Sequence, residues 1–132
     1  MAAFFRPDDA VHAALAIQDD IASFNSARRE HTNGTPIVLK LGIHAGPCIA
    51  VTTADTLDCF GATVNIAARL ESECRGGEAI VSEAMAKDAE TGAALADRMR
   101  IEEAATLRGV SAPVRFVRVK GLRSVRLPVA SI

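Results

Sequence analysis

The first apolar pattern in the sequence has the spacing of an amphipathic helix. Its apolar positions recur at alternating steps of four and three residues, namely Ala10, Ala14, Ile17, Ile21 and Phe24. Pro7 with the two aspartates that follow it suits the first turn of a helix, and Arg28 with Arg29 suits the last turn. The pattern therefore predicts a helix from Pro7 to about Arg29, with the five apolar residues on one face.

A second pattern, with a period of two, follows the loop signal at 33–34. Apolar side chains occupy alternate positions, at Ile37, Leu39, Leu41, Ile43 and Ala45. This alternation predicts a half-buried strand over 37–45. Gly46-Pro47 interrupts the pattern, and the apolar run 48–51 predicts a second strand after the bend.

From residue 55 onwards, short helices and strands are predicted to alternate. The polar, glycine-bounded stretch 55–61 is interpreted as a connection to a helix that begins near Thr63 and ends at Gly76-Gly77. The apolar face of this helix is predicted to contain Val64, Ala67, Ala68 and Cys74. A strand over 78–81, a helix capped by Ser82 and strands over 99–107 and 114–120 complete the pattern, and no clear period continues beyond Gly121. The order predicts an α+β fold, with helices packed on one sheet.

Length and composition agree with one globular domain. The chain has 132 residues, of which 49% are hydrophobic and 23% are charged, and its formal net charge is -1. Such a balance gives no general field that would attract nucleic acid or an anionic membrane. No apolar run approaches the roughly 20 residues that cross a bilayer, and the amino-terminal residues lack a secretion signal. We therefore expect a cytoplasmic domain without membrane contact.

Other candidate chemistry is weak. The three cysteines form no CxxC pair and lie near no histidine cluster, so neither a disulfide framework nor a zinc site is predicted. His44 alone is more typical of a hydrogen-bonded structural residue than of a catalytic base. The basic carboxy-terminal end is interpreted as a solvated edge strand and not as a nucleic-acid surface, because aromatic residues are nearly absent from it. Its cations are Arg115, Arg118, Lys120, Arg123 and Arg126.

Four segments carry a resemblance to a known family. They are LKLGIHAGPCIAV (39–51), LDCFGATVNIAARLES (57–72), GGEAIVSE (76–83) and TLRGVSAPVRFVRV (106–119), and FG-x-TVN-x-AAR is the most specific motif among them. In this order they resemble the carboxy-terminal part of the class III adenylate and guanylate cyclase catalytic domain, so that 1–132 is a partial domain of this kind. The resemblance implies a ferredoxin-like nucleotidyl cyclase sheet with helices packed on it, whose amino-terminal strands are missing.

The resemblance also implies a reaction, in which the ribose 3′ hydroxyl of ATP attacks the α-phosphorus and pyrophosphate leaves. Asn65 and Arg69 match the family's transition-state pair. Because they lie four residues apart on one predicted helix, they project from the same face, where an amide can orient the ribose beside a guanidinium that braces the phosphate. Without the motif around them, the two residues would be interpreted as a polar stripe on a surface helix.

Two further residues match binding positions of the family. Asp58 matches the position that contacts the purine base, where aspartate accompanies adenine and cysteine often accompanies guanine. A carboxylate can accept the exocyclic amino hydrogen of adenine, although a turn aspartate is an equally open interpretation. Arg108 occupies the place of a lysine that reaches the triphosphate in many relatives, against the alternative of a solvated cation at a strand end.

The departures from the family concern the metal site. Class III cyclases hold two Mg²⁺ or Mn²⁺ ions with aspartates on elements that would precede Met1, and these aspartates are absent. Asp8 and Asp9 are poor substitutes, since they belong to the first turn of a helix. A lysine that would partner Asp58 on the base is also missing, and Pro47 stands where many relatives have an arginine. We therefore expect the chain to be inactive alone.

Three interpretations follow from the missing half of the site. The chain is part of a longer adenylate cyclase, or it pairs with a complete cyclase domain at a shared ATP site, or it is a non-catalytic regulatory or dimerisation module that keeps the fold. Loss of an interior strand would leave backbone groups and an apolar face that need cover. We therefore expect a homodimer or a heterodimer.

Overall fold

The computed structural model describes residues 1–31 and 34–120. Predictions on Arg123, Arg126 and the rest of the tail beyond Gly121 lie outside these residues. The helices are α1 Pro7–His31, α2 Ala62–Glu73, α3 Glu83–Ala86 and α4 Ala89–Leu95. The strands are β1 Leu41–Ile43, β2 Ile49–Thr53, β3 Thr56–Phe60, β4 Glu78–Ser82, β5 Arg100–Ala105 and β6 Val114–Lys120.

Four of the strands form one sheet in the order β1-β4-β6-β5. β1 runs parallel to β4, and β6 is antiparallel to both of its neighbours. β2 and β3 form a separate antiparallel hairpin. The prediction of an α+β fold with helices on a sheet is confirmed.

The two faces of the sheet are covered by different helices. Because side chains alternate between faces along a strand, the residues of β4 and β6 divide into two sets. One set packs against α1, α3 and α4 in a core of Val11, Leu15, Val81, Met85, Leu95, Val117 and Val119. The other packs against α2 in a core of Leu70, Cys74, Ile80, Leu107 and Phe116.

The prediction of α1 is confirmed, but its predicted apolar face is wrong in part. Ala14 is buried, whereas Ile17 and Phe24 are 44% and 50% exposed. The buried face also contains Val11, Leu15 and Gln18, none of which belongs to the predicted face. A polar residue is tolerated there because the Gln18 amide nitrogen donates to the carbonyl oxygens of Leu39 and Glu78, at 2.9 and 2.7 Å.

The strand predicted over 37–45 is reduced to β1. β1 pairs with β4 only over Leu41–Ile43, and the Leu39 carbonyl oxygen before it accepts from the Gln18 side chain. The Asn25 side chain binds the main chain of Ile37 instead, accepting from its nitrogen at 2.9 Å and donating to its oxygen at 2.8 Å.

The connection predicted over 55–61 is wrong, because most of it forms β3. Two consecutive residues at the tip, Ala54 and Asp55, have φ values of 49° and 64°. Positive φ at both central residues is typical of the tight turns that match the twist of a hairpin. The sequence carries no glycine there, so the usual hairpin signal is absent.

The remaining elements follow their predictions more closely. The second apolar run, the strand after Gly77 and the two last strands appear as β2, β4, β5 and β6. Ser82 precedes α3 as predicted but makes no side-chain capping bond. Its hydroxyl oxygen lies 2.8 Å from Nδ1 of His44 instead.

The interpretation of Arg118 as a solvated cation is wrong. β6 lies between β4 and β5, and Arg118 is 2% exposed on the face beneath α2. Its guanidinium forms ion pairs with Glu78, which is fully buried, and with Glu103. Burial would raise the pKa of Glu78, but hydrogen bonds from Lys120, the Arg75 N–H and Arg118 outweigh it and hold this pKa below its ordinary value.

Gly42 of β1 allows α2 to lie close to the sheet. A Cβ atom at this position would overlap the backbone of Ala67 and Glu71. Gly42→Ala should therefore push α2 away from the sheet and lower the free energy of unfolding by about 1–3 kcal/mol. Urea denaturation measures this change, and an unchanged midpoint would show that the helix moves without strain.

Candidate active site

The position of α2 is fixed at both of its ends. At its start, Gly61 precedes the first turn with φ 129°, a conformation that favours glycine. The Thr63 hydroxyl donates to the Pro47 carbonyl oxygen at 2.6 Å, which ties the helix to the bend after β1. At its end, Arg118 donates to the carbonyl oxygen of Glu73 at 2.9 Å. The helix is thereby held between the bend and the buried ion pair.

The exposed side of α2 carries Asn65 and Arg69. Ile66, Ala67, Leu70 and Cys74 lie towards the sheet, whereas Asn65, Ala68, Arg69 and Ser72 are exposed. The prediction that Ala68 belongs to the apolar face is wrong, because α2 meets the sheet along a stripe that runs through Leu70.

Neither functional group of this pair is used within the fold. Among the residues that the structure describes, no hydrogen bond or ion pair involves the side chain of Asn65 or Arg69. A free amide and a free guanidinium side by side provide donors for a phosphate and donor and acceptor groups for a sugar hydroxyl.

Asp58 lies on β3, the strand that leads into α2. It is exposed and stands opposite Val51 in the hairpin. The adjacent Cys59 has a raised pKa, first because its thiol is hydrogen-bonded to that of Cys48, and then through burial and the nearby negative groups. Both cysteines are free. The hairpin thus presents the Asp58 carboxylate next to Cys59.

Arg108 lies on a different segment, the turn between β5 and β6. It is exposed, while its neighbour Leu107 is buried in the core beneath α2 and Gly109 turns the chain with φ 79°. Within the described part of the chain, no hydrogen bond or ion pair joins Arg108 to the other three predicted site residues. The structure therefore brings Asn65 and Arg69 together on one helix and leaves Asp58 and Arg108 on flanking segments.

His44 is not placed as a base. It is half-buried against Ser82, and burial lowers the pKa of its imidazole below the ordinary value. The prediction of a structural histidine is consistent with this hydrogen bond.

The described residues do not fit a metal site. Over 1–31 and 34–120, no group of three or more histidine, cysteine, aspartate or glutamate side chains is arranged to hold an ion. Asp8 is bound by the Arg6 guanidinium at 3.1 and 3.2 Å, and this hydrogen bond lowers the pKa of Asp8.

One surface feature has a weak signal in the sequence. The β2–β3 hairpin exposes large apolar side chains on both of its strands, namely Ile49, Val51, Leu57 and Phe60. Exposed apolar side chains that lie close together, as on this hairpin, often mark a surface that contacts another protein. The sequence predicts a strand over 48–51, but only the structure shows that its apolar side chains Ile49 and Val51 are exposed. None of the helices in the described ranges is long and apolar enough to cross a membrane.

Comparisons with known proteins point to one family. The family model described as the adenylate and guanylate cyclase catalytic domain matches residues 6–110. Retinal guanylyl cyclase 1 of Rattus norvegicus is 37% identical over 57 residues, which are 41% of this chain and 5% of that protein. Guanylyl cyclase C of Sus scrofa is 44% identical over 57 residues, 40% of this chain and 5% of that protein. The chain thus spans about one-twentieth of the length of these curated relatives.

Solved structures share the fold. An adenylate cyclase structure from Trypanosoma brucei, described as in its monomeric state, superposes with a TM-score of 0.64 at 25% identity, covering 89% of this chain and 64% of that one. The guanylyl cyclase Cya2 superposes with a TM-score of 0.67 at 22% identity, covering 96% of this chain and 66% of that one. Both kinds of nucleotide specificity occur among these proteins.

Proposed function

Since the chain belongs to the family of adenylate and guanylate cyclase catalytic domains, we propose that it supplies the ribose- and phosphate-binding half of a nucleotidyl cyclase active site. The observation that carries this proposal is the exposed stripe of α2, on which Asn65 and Arg69 lie side by side and form no bond within the described chain. Both groups are therefore available to a ligand, and the family motif around them favours this over a solvated polar stripe.

The proposed reaction is an attack of the ribose 3′ oxygen on the α-phosphorus, with pyrophosphate as the leaving group. Asn65 orients the ribose so that its oxygen stands in line with the bond that breaks. Arg69 donates to phosphate oxygens on which negative charge builds. Positioning and fixed positive charge are the main sources of catalysis in phosphoryl transfer. Arg108 is proposed to reach the triphosphate from the turn after β5.

The nucleotide is proposed to be ATP, because Asp58 presents an acceptor on the strand before the helix. The carboxylate accepts a hydrogen from the exocyclic amino group of adenine, while the guanine carbonyl would meet a second acceptor. GTP is the second candidate, because the curated relatives quoted above are named guanylyl cyclases.

The second half of the site is proposed to come from another cyclase domain. Metal ions supply charge stabilisation in this family's chemistry, and the described residues of this chain do not fit them. Association would cover the apolar side chains of the β2–β3 hairpin. We therefore propose that the active species is a dimer and that the chain is inactive alone.

A complementation assay tests this function. The chain is mixed with a class III cyclase domain that keeps its metal-binding aspartates but has its own asparagine and arginine replaced by alanine. With Mn²⁺ present, cyclic nucleotide should form from the mixture and not from either protein alone, because each contributes the half that the other lacks. ATP and GTP are supplied in parallel, and a faster reaction with ATP is expected from Asp58.

The controls separate loss of chemistry from loss of association. Light scattering follows complex formation in the same samples, and Asn65→Ala provides a chain with the same surface but without the amide. A complex that forms and yields no cyclic nucleotide would instead support a non-catalytic dimerisation module. A faster reaction with GTP would overturn the role given to Asp58.

A further inference from the structure

A cleft of about 320 Å³ lies between the second half of α1 and two loops. One wall is α1, and the others are the segment 36–38 and the turn 75–77 that precedes β4. Since α1 and α2 cover opposite faces of the sheet, the cleft does not share the exposed stripe that carries Asn65 and Arg69. A volume of this size accommodates a small metabolite.

Both charged residues among the described lining of the cleft are cationic. They are Arg29 and Arg75, and no aspartate or glutamate is among the described lining residues. Across the described ranges, neither guanidinium forms a hydrogen bond or an ion pair. This differs from Arg6, Arg98, Arg115 and Arg118, which all bind carboxylates. Two free guanidinium groups at one cleft are suited to an oxyanion.

One lining residue of the cleft has a buried acceptor. This residue is Gln18, which is 2% exposed. The amide nitrogen is fixed as the donor by the carbonyl oxygens of Leu39 and Glu78, so the amide oxygen is the remaining atom. This oxygen has no partner in the described structure. A buried acceptor without a donor is unfavourable, and a ligand hydroxyl or amino group would satisfy it.

The rest of the lining is mostly apolar, with two further polar residues, Asn25 and Ser26. Ile21, Ala22, Ile37 and Val38 contribute aliphatic surface. Gly76 and Gly77 form the rim with φ values of 98° and 69°, and a Cβ atom at Gly76 would collide with the Val38 side chain. The lining therefore combines two guanidinium groups, aliphatic surface, the polar side chains of Asn25 and Ser26, and Gln18 with its unpaired amide oxygen.

We propose that this cleft binds a small organic oxyanion, a carboxylate or a phosphate monoester, that carries a hydrogen-bond donor on an apolar body. Arg29 and Arg75 hold the anionic group, and the Gln18 amide oxygen accepts from the donor at the other end. The site is separate from the nucleotide site and does not depend on the cyclase reaction.

Two probe molecules test this site with the full chain. These are 4-hydroxybenzoate and 4-hydroxyphenyl phosphate, and backbone amide NMR shifts at 21–26 and 75–77 report the binding. A Kd of about 1 mM or lower is expected for at least one of them. The preferred probe distinguishes a carboxylate site from a phosphate site. Benzoate and phenyl phosphate, which lack the hydroxyl group, should bind several-fold more weakly because Gln18 then has no donor.

Arginine variants identify the anion contacts. Arg29→Gln and Arg75→Gln should each weaken binding about tenfold or more, because each removes hydrogen bonds from a charged group. Arg100→Gln is the matched control, since Arg100 is an exposed arginine on β5 away from the cleft, and it should leave Kd unchanged. The proposal would be overturned if Arg29→Gln and Arg75→Gln bound the probe as tightly as Arg100→Gln. It would also be overturned if these amides did not shift at probe concentrations up to about 10 mM.

Discussion

Arg69→Ala should reduce kcat of the complemented cyclase by about 10²–10³-fold, because it removes a fixed donor from the charge that develops on the phosphate. The same substitution should leave the stability of the chain almost unchanged. Arg69 is exposed, and its guanidinium forms no bond with the rest of the described chain. Steady-state cyclic nucleotide formation and thermal unfolding measure the two quantities on one preparation.

A matched control is available on another strand. Arg100→Ala removes an equally exposed guanidinium from β5 and should retain the complemented activity. Arg69→Lys keeps the charge but loses the planar pair of donors, so its kcat should lie between those of the wild type and Arg69→Ala. Retention of full activity by Arg69→Ala would remove the residue from the proposed site.

Arg118→Met should lower the free energy of unfolding by about 3–5 kcal/mol, the usual cost of removing one partner of a buried ion pair. Glu78 is fully buried and would keep only Lys120 and the Arg75 N–H as partners. The substitution also removes the bond to the Glu73 carbonyl oxygen at the end of α2. Urea denaturation at neutral pH measures the loss.

The pH dependence of this loss distinguishes the contribution of the Arg118–Glu78 ion pair from that of packing. The folded-state pKa of Glu78 lies below the ordinary value of 4.5, so the carboxylate stabilises the fold fully above about pH 4.5 and less as the pH falls through the folded-state pKa. The difference between wild type and Arg118→Met should therefore shrink in acid. Arg115→Met is the control, because Arg115 pairs with Glu83 at the surface and little change is expected. A difference that stays constant with pH would assign the loss to packing alone.

The sequence predicted most elements because their signals are local. Pro7 and the charges at the two ends of α1 mark a helix whatever packs against it, and Gly76-Gly77 marks the end of a segment for the same reason. The apolar faces were less predictable. α1 has apolar residues over a wide arc, so the part of that arc that becomes buried depends on where the helix meets the sheet.

The candidate sites also differ in how far local sequence signals predict them. The motif around Asn65 and Arg69 could be recognised in the sequence, and helical spacing was enough to place both residues on one face. The cleft beside α1 could not be predicted. Gln18 and Arg29 lie on α1, but Arg75 is far from them along the chain, and only the packing of α1 near the turn before β4 brings all three to one cleft.

The sequence alone was enough to predict α1, α2, most strands and the family, because spacing, end charges and a local motif are properties of neighbouring residues. It also predicts the residues of a nucleotide site, which the complementation assay tests. The tertiary structure alone decided that Arg118 is buried, that 56–60 forms a strand and that Gln18 faces a cleft. Burial and strand pairing depend on contacts between residues that are far apart along the chain. The free energy of those contacts is set by the whole fold, and a local pattern does not contain it.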